Sequence, residues 1–161
     1  MEKRGVVKTV FLTLVLAMGL AGTAQAGALL TLDPGESTIR EFTLYEEFDA
    51  RKLGPMETFL VIGMGDNETN KLGDLTITLK PSVTKDFGTV LEYSLIGLAY
   101  PLGGKPEFIN VKSAAPLSIT KTVKMSAAYG LVLVGAYIKT IDGDALLPAQ
   151  FSITFNWAVA K

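Results

Sequence analysis

The chain has no cysteine and no histidine in 161 residues. A domain exported without cysteine has to hold together by its core, with no disulfide to help. The two absences also remove chemistry. There is no Cys or His nucleophile, no Ser-His-Asp triad and no imidazole or thiolate to ligate a metal, which argues against zinc and copper. Charge is scarce as well. Lys and Arg number 15 against 16 Asp and Glu, for a net charge of −1. Phosphate backbones need a basic face, so nucleic acid is not an expected partner. Amphipathic helices are missing too: outside the N-terminus no apolar repeat of period 3.6 lasts three turns. There is no internal repeat and no low-complexity linker.

What is present begins with an export signal. Glu2, Lys3, Arg4 and Lys8 give a net positive start, Val10–Leu20 is apolar, and Ala24-Gln25-Ala26 supplies small residues at a cleavage site. The pattern is that of a secretory signal peptide over Met1–Ala26. Its apolar run is shorter than the roughly 20 residues that span a bilayer, which argues against an uncleaved anchor. No Cys follows it, so lipid attachment through cysteine is excluded. The expected mature chain, residues 27–161, loses three basic residues and one acidic one and carries a net charge of −3. It is one ordinary domain in length.

The rest of the chain is organised around its C-terminus. In Gln150–Lys161, Phe151, Ile153, Phe155, Trp157 and Val159 alternate with Ser152, Thr154, Asn156, Ala158 and Ala160. Side chains of a strand alternate with period two, so this segment asks for one packed face and one wetter face. Upstream, Ala28–Leu32 is a short apolar stretch, and Asp33-Pro34-Gly35-Glu36 is a turn with Gly at the third position. Ser37–Leu44 reads as an edge strand because Arg40 and Glu41 interrupt it. Tyr45–Met56 is a polar interval with room for a helical turn or two. Glu57–Met64 is apolar on both faces and reads as a strand buried on both sides, and Ala127–Ile138, also apolar on both faces, reads as a central strand. Asp74–Lys80 alternates and stops at Pro81. Thr89–Tyr100 is a strand with a bulge expected at Gly97. Phe108–Lys112 and Leu117–Lys124 complete the set, the latter with Lys121 on its apolar side, positioned to snorkel. Eight or nine short strands between Gly, Pro, Asn and Asp turns predict an all-β, single-domain antiparallel sandwich, Ig-like or jelly-roll-like.

Candidate sites are weighed against plain structural roles. Asp66, Asn67, Glu68 and Asn70 gather oxygens in one loop, and Asp142 and Asp144 in another, as calcium requires. Lys71 and Ile77 stand where an EF-hand needs Gly and Glu, so solvated turns are the expectation, with no metal. Glu41, Glu46, Glu47 and Asp49 are the material for the two acids of a glycosidase, with Arg51 and Lys52 close enough to neutralise them. Tyr45, Phe48, Tyr93, Tyr100, Tyr129 and Tyr137 are the material for a stacking platform, or for core edges.

The expectation is a secreted, non-enzymatic binding or structural module, such as an adhesin-like protein or a subunit of a surface filament, with no catalytic residue and no cofactor. Two alternatives stand beside it: an eight-stranded outer-membrane barrel, which would bring a membrane partner, and a glycan-active enzyme. Ala28–Leu32, at the mature N-terminus, is expected either to pair within its own domain or to add to the edge of another copy.

Overall fold

The computed structural model describes residues 28–47, 51, 56–64, 72–82, 90–101, 105–126, 129–142 and 148–158. The expected signal peptide and the Asp66–Asn70 loop lie outside them. Nine strands form: β1 (Ala28–Leu32), β2 (Ser37–Leu44), β3 (Glu57–Met64), β4 (Leu72–Pro81), β5 (Val90–Pro101), β6 (Glu107–Ala114), β7 (Ile119–Ser126), β8 (Tyr129–Asp142) and β9 (Ala149–Ala158). They make a five-stranded sheet in the order β1-β3-β8-β5-β6 and a four-stranded sheet in the order β2-β9-β4-β7. From β2 onward the chain changes sheet at every step except the β5–β6 hairpin. That double Greek-key winding is a jelly roll rather than an Ig-like sandwich.

The C-terminal alternation becomes β9, whose Phe151, Ile153, Phe155 and Trp157 are buried. They face Phe59 and Val61 of β3, Tyr93 and Leu95 of β5 and Val132 and Val134 of β8 in a single core. Phe42 lies at 5.4 Å from Phe59 and 5.7 Å from Phe151, and Tyr93 at 5.6 Å from Phe151, so the aromatic rings bridge the two layers.

Each sheet ends in open edges, and this overturns the outer-membrane barrel. A barrel pairs its first strand with its last and presents an apolar band all round. Here the interior is filled by side chains, and Thr76, Thr78, Thr120, Thr122 and Thr154, together with Asp74 and Lys124, would face lipid.

One further expectation, at Gly97, is corrected below. The sheets are antiparallel as expected except at one ladder among the described strands, where β1 pairs with β3 in parallel. The chain passes from β1 through a tight turn into the opposite sheet and returns, a crossover that leaves the first and third strands running the same way. The turn is as expected: Gly35 has φ of 85° and Glu36 N donates to Asp33 O at 3.0 Å. There is no bulge at Gly97, whose register with Val134 and Ile109 is unbroken; the irregularity falls between Val90 and Leu91.

Three of the four edge strands are guarded. β2 carries Arg40 opposite Ile153, and β7 carries Lys121 opposite Ile77, both on the core-facing side. Inward-pointing charges of this kind discourage another strand from adding. Lys121 does not simply snorkel. Its ammonium lies 2.7 Å from the Glu107 carboxylate at the start of β6 and so ties the two sheets together along one side. β6 has Lys112 paired to Glu92 at 2.9 Å. β1 alone has no charged residue.

Glu57, at the start of β3, is half-buried, and burial pushes its carboxyl above the ordinary 4.5. The folded state therefore holds this proton more tightly than the unfolded chain does. Its ionisation weakens the fold as pH rises from about 4.5 through the raised value. Glu57→Gln is expected to raise the melting temperature at pH 7 and to leave it nearly unchanged at pH 4. Thermal melts of both proteins across that range check the sign.

Candidate interaction face

The residues predicted to form chemical sites are scattered. Glu41 is exposed on the outer face of β2, and Glu46 is exposed beyond its end. The half-buried Glu47 accepts a hydrogen bond from Thr140 N at 2.9 Å, on the other sheet. Asp49 and Lys52 lie outside the described residues. An open depression lined by Glu41, Phe42, Thr43, Ser82, Gln150 and Phe151 contains one carboxylate, where a glycosidase needs two. Asp142 ends β8 and Asp144 lies outside the described residues; among the described residues no three Asp or Glu gather as metal ligands. Among the described residues the aromatics do not gather into one platform: Tyr100 and Tyr137 share the outer face of the five-stranded sheet but stand toward opposite ends of it. Tyr93 is in the core, where burial raises its phenol pKa and the nearby Ser113 hydroxyl opposes the shift. Tyr45 is exposed after β2, and the side chains of Phe48 and Tyr129 lie outside the description.

What the structure assembles instead is a contrast between its two outer faces. On the four-stranded sheet the outward positions carry Thr78 between Thr154 and Thr120, and Thr76 between Asn156 and Thr122. Thr hydroxyls meet across strands at 3.2 and 3.3 Å, and Lys124 pairs with Asp74. This is a solvated, mostly polar sheet face, with Ile39 of β2, the exposed register partner of Thr154, as the large apolar side chain among its described residues.

The five-stranded sheet is different. Register partners share a face. Leu29, Leu60, Leu133, Leu98 and Phe108 are successive partners from β1 to β6 and form one apolar row across the whole sheet. Thr31, Ile62, Leu131 and Tyr100 form the next row, and Thr58, Gly135, Ile96 and the polar Asn110 the row on the other side. Phe108 is 81% exposed and Leu29 64%; Met64, Ile96 and Tyr100 are exposed as well. Met56 packs above Gly135, filling the place a side chain would take. Among the described residues, charge appears on this face at one end, as the Glu92–Lys112 ion pair beside Lys139. Glu92 accordingly raises the Lys112 pKa.

Five large exposed side chains leave roughly 500 Å² of apolar surface, at the upper end of what a monomer carries. β3 and β8 are thus apolar on both faces because one face meets the core and the other forms this surface. The signal for it lies in Glu57–Met64, whose sequence reads as burial on both sides, and in Ala127–Ile138, whose sequence reads as a central strand and becomes the central β8.

No family model and no curated protein matches the chain. Among solved structures, it is similar to the pre-peptidase C-terminal domain of a collagenase from Bacillus anthracis. The identity is 8% over 86% of this chain and 100% of that one, with a TM-score of 0.40. A likeness this weak assigns neither fold nor function.

Proposed function

We propose that the chain is an exported, non-enzymatic module with a binding or structural role at the cell surface, and that it engages its partner through the outer face of the five-stranded sheet. The observation that carries this reading is the contrast between a Thr-lined face on one sheet and an apolar face on the other. Water accounts for the first. An apolar patch of this size on a sheet is the usual mark of an interaction surface. The scattered carboxylates favour no competing reading as an enzyme.

The test is fractionation of cells exporting the full chain. Wild type is expected in an envelope-bound or assembled fraction. Phe108→Asp with Ile96→Asp is expected to release it as free protein with an unchanged melting temperature, since both side chains are exposed. An unchanged distribution would overturn the reading.

A second contact is favoured by the bare edge of β1. Being uncharged, it is the strand to which another copy adds most readily, head to tail. Thr31→Lys supplies the missing guard and is expected to shorten such assemblies in the same fractions.

A further inference from the structure

We infer that the occupant of the apolar face is a second copy of this chain, packed sheet on sheet about a two-fold axis running along β8. The inference rests on the reading of this face as a docking surface and names its partner.

The argument starts from symmetry. β8 is the central strand of five, with β3 and β5 beside it and β1 and β6 outside. A two-fold along β8 in the plane of contact lays β1 of one protomer over β6 of its partner, and β3 over β5. Each cross-strand row then meets itself reversed. Leu29 falls on the partner's Phe108, Leu60 on the partner's Leu98, and Ile62 on the partner's Tyr100. The two most protruding side chains of the long row stand at its two ends, and the operation brings each onto the other. No charge is buried in these rows, because the Glu92–Lys112 pair lies beyond them.

Geometry and area agree. Two sheets packed face to face lie about 10 Å apart with mean strand directions within about 30° of each other, and a two-fold along β8 keeps the central strands within that range. The exposed apolar side chains, roughly 500 Å², with the partly exposed Leu98, Leu131 and Leu133 between them, supply most of the roughly 800 Å² per partner of a standard interface, while the buried Leu60 adds little. The charge pattern points away from an anionic lipid surface, which would want a basic rim. This rim is the Glu92–Lys112 ion pair with Lys139 beside it, one excess positive charge where lipid binding takes clusters of basic residues, and the chain is net negative.

The absence of cysteine makes the test direct. Within one protomer Leu29 and Phe108 are four strand spacings apart, roughly 19 Å, beyond the reach of a disulfide or of a linker of about 10 Å. Leu29→Cys with Phe108→Cys, made together in the full chain and treated with a bis-maleimide cross-linker that spans about 10 Å, the separation of the two sheets, is expected to give a covalent dimer. Neither single variant should do so. Without cysteines, analytical ultracentrifugation is expected to find a dimer whose dissociation constant Phe108→Asp raises roughly tenfold or more. A chain that stays monomeric at high concentration and yields no cross-link overturns the inference. Equal cross-linking by Leu29→Cys alone overturns it in favour of β1 meeting β1 at the edges. If the protein is monomeric but pellets with anionic vesicles, lipid is the occupant and the inference also fails. The docking reading is judged separately. It survives a monomeric result if Phe108→Asp with Ile96→Asp still releases the protein from its assembled fraction, and it falls if that release is absent.

Discussion

Trp157→Ala is expected to cost roughly 3–5 kcal/mol, the range for removing a large aromatic from a packed core. The indole is fully buried. It reaches across the sandwich to Gly63 of β3, where a Cβ would come within 2.8 Å of the ring, and Met125 of β7 fills the adjoining space. Gly63 is paired in register with Gly130, so two glycines side by side on one sheet receive Trp157 and Met125 from the other. The backbone of Trp157 is held independently. Its N–H donates to Glu36 O at 3.0 Å and its carbonyl accepts from Gly35 N at 2.8 Å. Alanine leaves those bonds in place, and the loss measures the side chain alone. The indole N–H has no hydrogen-bond partner among the described residues. Trp157→Phe therefore removes a buried unpaired donor along with part of the packing and is expected to cost distinctly less than alanine. Urea titrations of the three proteins check the order, read from the midpoints at an unchanged slope. An alanine variant as stable as wild type would place the indole outside the core.

How far the fold was legible follows from which interactions are local. The period-two pattern of β9 depends only on its own residues, and it named the core side chains correctly. Arg40 and Glu41 marked β2 as an edge for the same reason: a charge on the core-facing side is tolerable only where one flank is open. The Pro34-Gly35 turn is likewise set by its own residues. Strand order is a different matter, because β9 pairs with β2 and β4 across more than 70 residues of chain, and nothing within a strand encodes its neighbour. The parallel β1 is a consequence of that topology. The apolar face shows the limit most sharply. Leu60, Ile62, Leu131 and Leu133 are the same residues whether a second layer covers them or not. Sequence alone equates an apolar face with a buried one. The missing cover could be recognised only once β1, β3, β8, β5 and β6 were seen to share one sheet with no described element over its outer side. The carboxylates failed as a site for a related reason: nearness along the chain from Glu41 to Glu47 ended on different sheets.

Gly97→Ala is expected to be at least as damaging as the loss of Trp157, or to prevent folding. Gly97 lies in the middle of β5, against the central strand β8. A Cβ at this position would stand 2.0 Å from Leu133 O and 2.8 Å from Val134 Cα. Both are backbone atoms of β8, which is hydrogen-bonded to β3 on its far side and cannot give way without disturbing two ladders. Relief by a rotamer change, which limits most overpacking costs to about 1–3 kcal/mol, is closed here. Gly135→Ala supplies the contrast. Its Cβ would also clash, at 2.3 Å, but with the sulfur of Met56. That thioether is unbranched and half-exposed, and it swings aside at a cost of about 1 kcal/mol or less. The two glycines are register neighbours by one step, in the same sheet, and each gains the same single methyl group. The methyl at Gly97 stands on the core side with Val134 and Ile109 and that at Gly135 on the outer side with Ile96, so denaturation of both variants compares a clash with fixed backbone against one with a movable side chain. A Gly97→Ala protein no less stable than Gly135→Ala would mean that β5 and β8 do not approach this closely in solution, and that the smallness of Gly97 has another cause.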